Sequence, residues 1–181
     1  MNLSCEIVVV DETAMTAARD AAIRRMLGVC FPASADAFSK TRAWHGSAPS
    51  YSVVANEGEE IVGHVGVVAR EISAGGASIR VAGIQNMAVL PARRGSGLSR
   101  RLMEAAVAEA RRRGIPFGLL FCVPGLERFY ASLGWTTLSV RVRMVYGGEE
   151  TEIPAKNLAM GLDLAGRPFP AGDLHLRGAD W

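Results

Sequence analysis

The chain has 181 residues and a formal net charge of +2, and 49% of its residues are hydrophobic. A chain of this length can bury a core without disulfides or metals, and its apolar content excludes a disordered polymer. The nearly balanced charge argues against a dedicated nucleic-acid binder. We therefore expect one domain over residues 1–181.

The cysteines and the apolar segments indicate the cellular compartment of the protein. Cys5, Cys30 and Cys122 are odd in number and lack paired spacing, which indicates free thiols in a reducing environment. Residues 1–10 have no basic leader or small-residue cleavage site, and no stretch approaches the ~20 apolar residues of a membrane span. The sequence thus predicts a cytoplasmic protein with no membrane or nucleic-acid partner.

Hydrophobic periodicity and turn residues divide the chain into strands and helices. The predicted strands are residues 5–10, 51–55, 61–68, 78–90, 117–122, 135–146 and 157–164. The predicted helices are residues 16–30, 34–44, 98–113 and 124–133. Residues 56–59 and the pair Gly75-Gly76 predict hairpin turns, since Asn and Gly tolerate positive φ. The strand–helix–strand order from residue 78 to 122 requires a parallel strand pair, so the predicted fold class is α/β with a mixed sheet.

A glycine-containing loop joins the strand at 78–90 to the next helix. Gly95 and Gly97 let the backbone approach a ligand closely, and the helix N-terminus favours an anion such as pyrophosphate. Arg93 and Arg94 could add charge-assisted bonds to phosphate. An ordinary strand–helix turn would have the same pattern, so the loop alone leaves both readings open. A Rossmann fingerprint and a P-loop do not fit, because the third glycine and the Lys-Ser/Thr ending are missing.

Two segments together resemble the GCN5-related N-acetyltransferase (GNAT) superfamily. Residues 89–98 resemble its acetyl-CoA loop, (Arg/Gln)-x-x-Gly-x-(Gly/Ala), with Ser99 in place of the final small residue. Residues 128–135, which contain Phe129-Tyr130 and Gly134-Trp135, are similar to its second signature, Phe-Tyr-x-x-x-Gly-Phe/Trp. The resemblance covers residues 50–146 and implies a GNAT fold, with splayed parallel strands at the acyl-CoA site.

The resemblance also implies a reaction and a set of site residues. Acetyl-CoA would be the donor, a backbone N–H of Ala88 or Val89 would polarise its thioester, and the acceptor amine would attack directly. Tyr130 is the implied general acid, against the alternative that Phe129 and Tyr130 only anchor the helix. The implied cofactor-binding residues are Met87, Ala88, Val89, Arg94, Gly95, Ser96, Gly97, Leu98 and Ser99.

The general base is open in the sequence. Gln85-Asn86 stands where many relatives carry Glu, so Gln85 is expected to orient the acceptor, and a water or the C-terminal carboxylate of Trp181 would accept the proton. His64 lies in an apolar run and is expected to be a core histidine rather than a site residue, while His45 and His175 are expected to be exposed. Cys122 is expected to be a small core residue. The histidines show no metal-ligand spacing, and no metal is predicted.

Two branches of the superfamily suggest the acceptor. The C-terminal half resembles aminoglycoside 2′-N-acetyltransferases, in which a closing Asp and a C-terminal Trp lie beside the aminoglycoside; this implies Asp180 and Trp181, against a frayed tail. Residues 41–49 resemble the nodulation N-acyltransferases, which load a fatty acyl chain onto a chitooligosaccharide amine. Both branches imply an amino-sugar acceptor. The aminoglycoside branch also implies a function in antibiotic resistance. A peptide N-acetyltransferase and a non-catalytic acyl-CoA sensor stay open, as does a homodimer.

Overall fold

The computed structural model describes residues 5–181. In that range the chain forms ten strands and four α-helices. The strands are β1 (Glu6–Asp11), β2 (Tyr51–Glu57), β3 (Glu60–Ala74), β4 (Ala77–Val89), β5 (Phe117–Cys122), β6 (Thr136–Leu138), β7 (Val142–Tyr146), β8 (Glu149–Glu152), β9 (Leu158–Asp163) and β10 (Leu174–His175). The helices are α1 (Ala17–Cys30), α2 (Ala35–Lys40), α3 (Leu98–Arg112) and α4 (Glu127–Ala131). None of the helices in this range is long and apolar enough to cross a membrane.

Helix α3 follows the predicted pattern closely. Four of its buried residues are spaced by four positions, so they form one apolar face; they are Leu98, Leu102, Ala106 and Ala110. Basic residues occupy the last turn, where the helix dipole favours positive charge. Gly114 then takes φ 67°, a left-handed conformation that ends the helix.

Helix α2 is shorter than the predicted helix 34–44. It ends at Lys40, because Thr41 has an extended backbone (φ −152°, ψ 154°). The Thr41 hydroxyl oxygen accepts a hydrogen bond from the backbone N–H of Ala43 at 3.0 Å. A threonine side chain bonded to the backbone two residues on competes with helical hydrogen bonding, which explains the early end.

The chain forms two compact units, and strands β3 and β4 pass through both. The first unit contains the described residues up to Trp44, then Ala48–Val67 and Gln85–Glu109. In it, β2 pairs antiparallel with β1 and with β3, and the β2–β3 turn includes Gly58 at φ 60°. This is the predicted hairpin. Its core joins side chains of α1 and α2 to those of the strands, including Ile23, Leu27, Phe38 and Val54.

The second unit contains His45–Ser47, Val68–Ile84 and Ala110–Trp181. In it, β5 pairs in parallel with β4, from Val81↔Phe117 to Ile84↔Leu120, and antiparallel with β9. Strand β6 pairs with β9, and β10 lies between β3 and β7. The predicted parallel pair and the mixed α/β sheet are therefore confirmed.

The predicted single strand 135–146 is wrong. Strand β6 pairs with β9, whereas β7 pairs with β8 and β10, so the chain changes partners between Leu138 and Val142. Strand β8 was not predicted, because all four of its residues are exposed and show no apolar alternation. The Gly147-Gly148 turn before β8, with φ 61° and 87°, was a readable hairpin signal.

Candidate active site

The loop that precedes α3 has the properties of an anion site. Gly95 and Gly97 have φ 77° and 79°, and a Cβ added at either would have no atom within 4 Å. The first intrahelical bond runs from the N–H of Arg101 to the Gly97 carbonyl at 3.2 Å. The N–H groups before it have no partner inside the helix, which is the usual situation at a helix N-terminus. The loop is therefore open, and its amides suit a phosphate.

The two arginines beside this loop differ in their contacts. Arg93 donates to both carboxylate oxygens of Glu57 at 2.8 Å and lowers the pKa of that carboxyl. The prediction that Arg93 assists phosphate binding is therefore not supported, since a bidentate partner already occupies its guanidinium. Arg94 is exposed, and its Nε lies 3.4 Å from the Val89 carbonyl oxygen.

Strand β4 is distorted just before the predicted thioester-binding residues Met87, Ala88 and Val89. Asn86 has φ 49°, and its side-chain amide donates to the Arg42 carbonyl at 2.8 Å. Gln85 is buried, and its Oε1 accepts the backbone N–H of Trp44 at 3.0 Å. The side-chain carbonyl of Gln85 thus fixes the position of the Trp44 backbone.

A buried polar chain supports this distortion in the first unit. His64 is fully buried, and burial lowers its pKa to about 4, so the ring is neutral. Its Nδ1 lies 3.1 Å from the Asn86 carbonyl, which can only accept, so Nδ1 carries the proton. Its Nε2 lies 3.2 Å from the Ser52 hydroxyl, which also accepts a hydrogen bond from Arg42 at 3.1 Å. The expectation of a satisfied core histidine is confirmed.

Arg42 was missed by the sequence analysis. It is 4% exposed, and it pairs with Asp20 at 2.7 Å and with Glu12. Its partners lie between 10 and 30 positions away, so no local spacing signals the cluster.

Tyr130 lies in the second unit on α4 and is buried. Its ring makes edge contacts with Phe129 and Trp135, with centroids 5.0 Å and 6.4 Å apart. Burial, and then the nearby Cys122, raise the pKa of Tyr130, so its hydroxyl stays protonated. Burial also raises the pKa of Cys122, whose Sγ lies 3.7 Å from the Met160 sulfur, as expected for a core cysteine.

The last two residues are buried rather than frayed. The Trp181 indole packs on Gly83, and its Nε1 lies 3.4 Å from the Leu119 carbonyl oxygen. Gly83 and Leu119 are register partners in the parallel β4–β5 pair, one position before the ladder ends at Ile84↔Leu120. The Arg70 guanidinium lies 5.4 Å from the Trp181 ring centroid.

Asp180 contacts a histidine that the sequence analysis treated only as exposed. The Nδ1 atom of His45 lies 2.5 Å from Oδ1 of Asp180. The His45 side chain is 37% exposed, as expected, whereas that of Asp180 is only 7% exposed. These residues are 135 positions apart, so only the fold reveals the pair.

The predicted site residues divide between the two units. The first contains Gln85, the segment Met87–Val89 and the loop Arg94–Ser99, and the second contains Tyr130, Asp180 and Trp181. Within residues 5–181, no three His, Cys, Asp or Glu side chains form a group that could hold a metal ion.

A family model described as an acetyltransferase (GNAT) domain matches residues 14–138, more than half of the chain. The chain belongs to the GNAT acetyltransferase family. The predicted family membership is thereby confirmed.

Two relatives are nodulation proteins. The chain is 31% identical over 127 residues to nodulation protein A of Bradyrhizobium elkanii, a match that spans 67% of this chain and 59% of that protein. The chain therefore spans less than two thirds of the length of that relative. It is 27% identical over 164 residues to nodulation protein A of Mesorhizobium plurifarium, which spans 83% of this chain and 82% of that protein. The predicted nodulation resemblance is confirmed at low identity.

Solved GNAT structures share the fold. YhbS of Escherichia coli, in complex with CoA, superposes with a TM-score of 0.69 at 19% identity, over 98% of this chain and 92% of YhbS. A GNAT acetyltransferase of Brucella melitensis, in complex with acetyl-CoA, gives 0.61 at 22% identity, over 93% and 94%. At these identities the likeness is one of fold, and the predicted GNAT fold is confirmed. None of the relatives described above is an aminoglycoside acetyltransferase, so that resemblance stays a prediction.

Proposed function

We propose that this protein transfers an acetyl group from acetyl-CoA to an amine of an amino sugar. The observation that carries the proposal is the open Gly95/Gly97 loop at the start of a 15-residue helix, in a chain of the GNAT family. Residues 1–181 act as one N-acetyltransferase domain. The three free cysteines fit a cytoplasmic location.

The loop residues Arg94, Gly95, Ser96, Gly97, Leu98 and Ser99 hold the cofactor pyrophosphate. The open space beside both glycines and the position of the loop at the N-terminus of α3 fit that group. Arg94 adds a positive charge at the exposed side of the loop.

Ser99→Asp is expected to weaken cofactor binding without lowering the stability of the fold. A carboxylate in the first turn of α3 complements the helix dipole, so the fold should be unchanged or slightly more stable. The same charge repels phosphate at close range, and acetyl-CoA affinity should fall about tenfold or more, measured by calorimetric titration.

Ser99→Asn is the matched control for this change, since it has nearly the same shape without the charge. It should bind acetyl-CoA within about threefold of the wild type. Equal affinity of the Asp and Asn variants would contradict a phosphate at this loop.

The backbone of Met87, Ala88 and Val89 binds the pantetheine arm and the thioester. The β5 register on β4 ends at Ile84, and the left-handed Asn86 interrupts the regular strand before Met87. An N–H of Ala88 or Val89 donates to the thioester oxygen as negative charge develops on it. Bound acetyl-CoA supplies the activated acyl carbon, and these amides supply the electrostatic stabilisation.

Tyr130 assists departure of the thiolate. The raised pKa of Tyr130 keeps its hydroxyl protonated, so it donates a hydrogen bond to the leaving sulfur throughout the working pH range. Because the phenol is a weaker acid than a thiol, stabilisation by hydrogen bonding fits this direction better than complete proton transfer.

Tyr130→Phe is expected to lower kcat by on the order of 10²-fold and to leave acetyl-CoA affinity within about twofold. Tyr51→Phe is the control, because the buried Tyr51 hydroxyl donates to the Ala106 carbonyl at 2.8 Å and serves structure. That variant should lose stability and keep kcat. The reverse result, with Tyr130→Phe less stable but fully active, would assign Tyr130 to packing alone.

Gln85, Asp180 and Trp181 lie beside the acceptor in this proposal. The aminoglycoside acceptor rests on the Asp180-Trp181 resemblance. A chitooligosaccharide acceptor of the nodulation type, with a longer acyl donor, is the second candidate, and the two nodulation protein A relatives favour it.

The test is release of free CoA from acetyl-CoA and from palmitoyl-CoA with a panel of amines. The panel contains kanamycin, partly deacetylated chitotetraose, glucosamine and a lysine peptide. Turnover of an amino sugar supports the proposal; turnover of the peptide alone indicates a peptide acetyltransferase, and cofactor binding without any turnover indicates a sensor. Light scattering of the purified protein tests the predicted homodimer.

A further inference from the structure

The His45–Asp180 pair in the second unit has the geometry of an oriented base. Asp180 is nearly fully buried, and its Oδ1 lies 2.5 Å from Nδ1 of the half-exposed His45 ring. A carboxylate at this distance holds the proton on Nδ1, because an ionised carboxylate can only accept. In the tautomer with its proton on Nδ1, the ring has its lone pair on Nε2. An orienting carboxylate of this kind is what a histidine base requires.

Three hydrogen bonds join the segments on either side of the pair. Arg70 donates to the Ala179 carbonyl at 2.7 Å and to the Ser47 hydroxyl at 3.0 Å. The Ser47 hydroxyl in turn donates to the Ala179 carbonyl at 3.2 Å. These bonds join the segment that contains His45 to the segment that contains Asp180. The pair is therefore a constructed feature of this unit.

The backbone and location of His45 also distinguish it. His45 has φ 44°, a conformation that costs free energy in a non-glycine residue and often occurs at functional sites. Asp180 is followed by Trp181, which packs on Gly83 and Leu119 near the carboxyl end of the parallel pair. Ligands of α/β sheets bind outside the carboxyl ends of parallel strands.

The His175–Glu150 pair in the same unit shows the contrast. His175 Nε2 lies 3.2 Å from Glu150, with side-chain exposures of 32% and 52%. No buried carboxylate orients that ring, and it has the properties of a surface ion pair. A carboxylate next to a histidine is thus not sufficient to orient the ring as a base. The burial of Asp180 distinguishes the His45 pair from the His175 pair.

We propose that His45, oriented by Asp180, is the general base that accepts the proton of the acceptor amine. This rests on the proposed function. As the amine nitrogen forms its bond to the acyl carbon, its proton moves to Nε2 of His45. The carbon–sulfur bond breaks, and the thiolate, stabilised by Tyr130, takes a proton from solvent. His45 then returns its proton to solvent, which restores the starting state.

Two neighbours of the ring are Asp180, in the C-terminal segment, and Tyr146, at the end of β7. Asp180 binds Nδ1, and the Tyr146 ring lies 5.2 Å from the His45 ring, centroid to centroid. Arg70 lies close enough to Asp180 that the carboxylate opposes the lowering of the Arg70 pKa by burial. Asp180 thus interacts both with the His45 ring and with the Arg70 guanidinium.

The test compares the wild type and His45→Asn with acetyl-CoA and the panel acceptor that turns over fastest. Asn tolerates the left-handed backbone at position 45. At pH 7, kcat/KM should fall on the order of 10²-fold. The pH profile of kcat/KM should also differ between the wild type and the variant, because the variant lacks the proposed base. His175→Asn, the matched control, should stay within twofold of the wild type.

Two further variants sharpen the result. His45→Gly also tolerates the backbone conformation, and added imidazole should restore part of its activity. Asp180→Asn should lower kcat with little change in the acceptor KM, because Asp180 acts through His45. A rise in acceptor KM alone would overturn the dyad in favour of direct contact between Asp180 and the acceptor.

The two proposals fail in distinguishable ways. An active wild type whose His45→Asn variant keeps its rate and pH profile would overturn the base and leave the acyltransferase intact. A wild type that acetylates no panel amine would overturn both.

Discussion

Gly83→Ala is expected to lower the free energy of unfolding by about 3 kcal/mol or more. A Cβ at position 83 would lie 2.2 Å from Cε2 of Trp181, and two more ring atoms lie within 2.6 Å. No rotation of a methyl group relieves such a contact, so the indole must leave its place in the core. Its packing on Phe121, with centroids 5.6 Å apart, would be lost with it.

Chemical denaturation of the wild type and four variants tests this expectation. Gly125→Ala is the matched control, since a Cβ there has no atom within 4 Å, and it should change stability by less than about 0.5 kcal/mol. In a Trp181→Ala background, Gly83→Ala should cost much less than in the wild type. Additive effects of the two changes would show that the indole does not pack on Gly83.

Arg42→Met is expected to destabilise the protein by about 3 kcal/mol. Arg42 is almost fully buried, and its removal leaves Asp20 and Glu12 without their shared cation and the Ser52 hydroxyl without a donor. Both carboxylates keep some exposure to solvent. The loss in free energy of unfolding is therefore expected at the lower end of the range for broken buried ion pairs. The Asn86 segment, which bonds to the Arg42 backbone, should become more mobile in hydrogen exchange.

Arg24→Met is the control, because Arg24 binds the same Asp20 at 2.7 Å from a helical position where its side chain is 25% exposed. It should cost about 0.5 kcal/mol. Burial alone would raise the pKa of Asp20, but hydrogen bonds from Arg24 and Arg42 outweigh it and lower that pKa. This stabilisation is present above the unfolded pKa of about 4 and is lost as the pH falls through the folded value. The gap between wild type and Arg42→Met should therefore narrow in acid.

Local signals in the sequence predicted much of the fold and the proposed cofactor loop. The apolar face of α3, the Gly114 cap and the glycines at 95 and 97 all act within one or two turns, so sequence spacing reveals them. The parallel β4–β5 pair followed from the helix between its strands. The break between β6 and β7 could not be predicted, because the residues there continue to alternate while their partners change.

The polar clusters could not be predicted for a different reason. Arg42 and His45 lie in one short segment with nothing in their neighbours to mark them. Arg42 is defined by Glu12, Asp20 and Ser52, and His45 by Asp180, all distant in the chain. The Asp180-Trp181 resemblance pointed to Asp180, but it did not indicate the histidine that Asp180 binds.

The contacts that hold His45 and Asp180 also bear on how the protein folds. They join residues 135, 109 and 62 positions apart, in the pairs His45–Asp180, Arg70–Ala179 and Leu119–Trp181. Contacts of such separation close slowly, because the entropy of large loops is lost before the contacts form. The proposed base is thus assembled only when the most distant segments have met. In a chain that has collapsed but not finished folding, the base could not accept a proton from any amine. Recovery of catalytic activity during refolding would therefore mark the last step of folding.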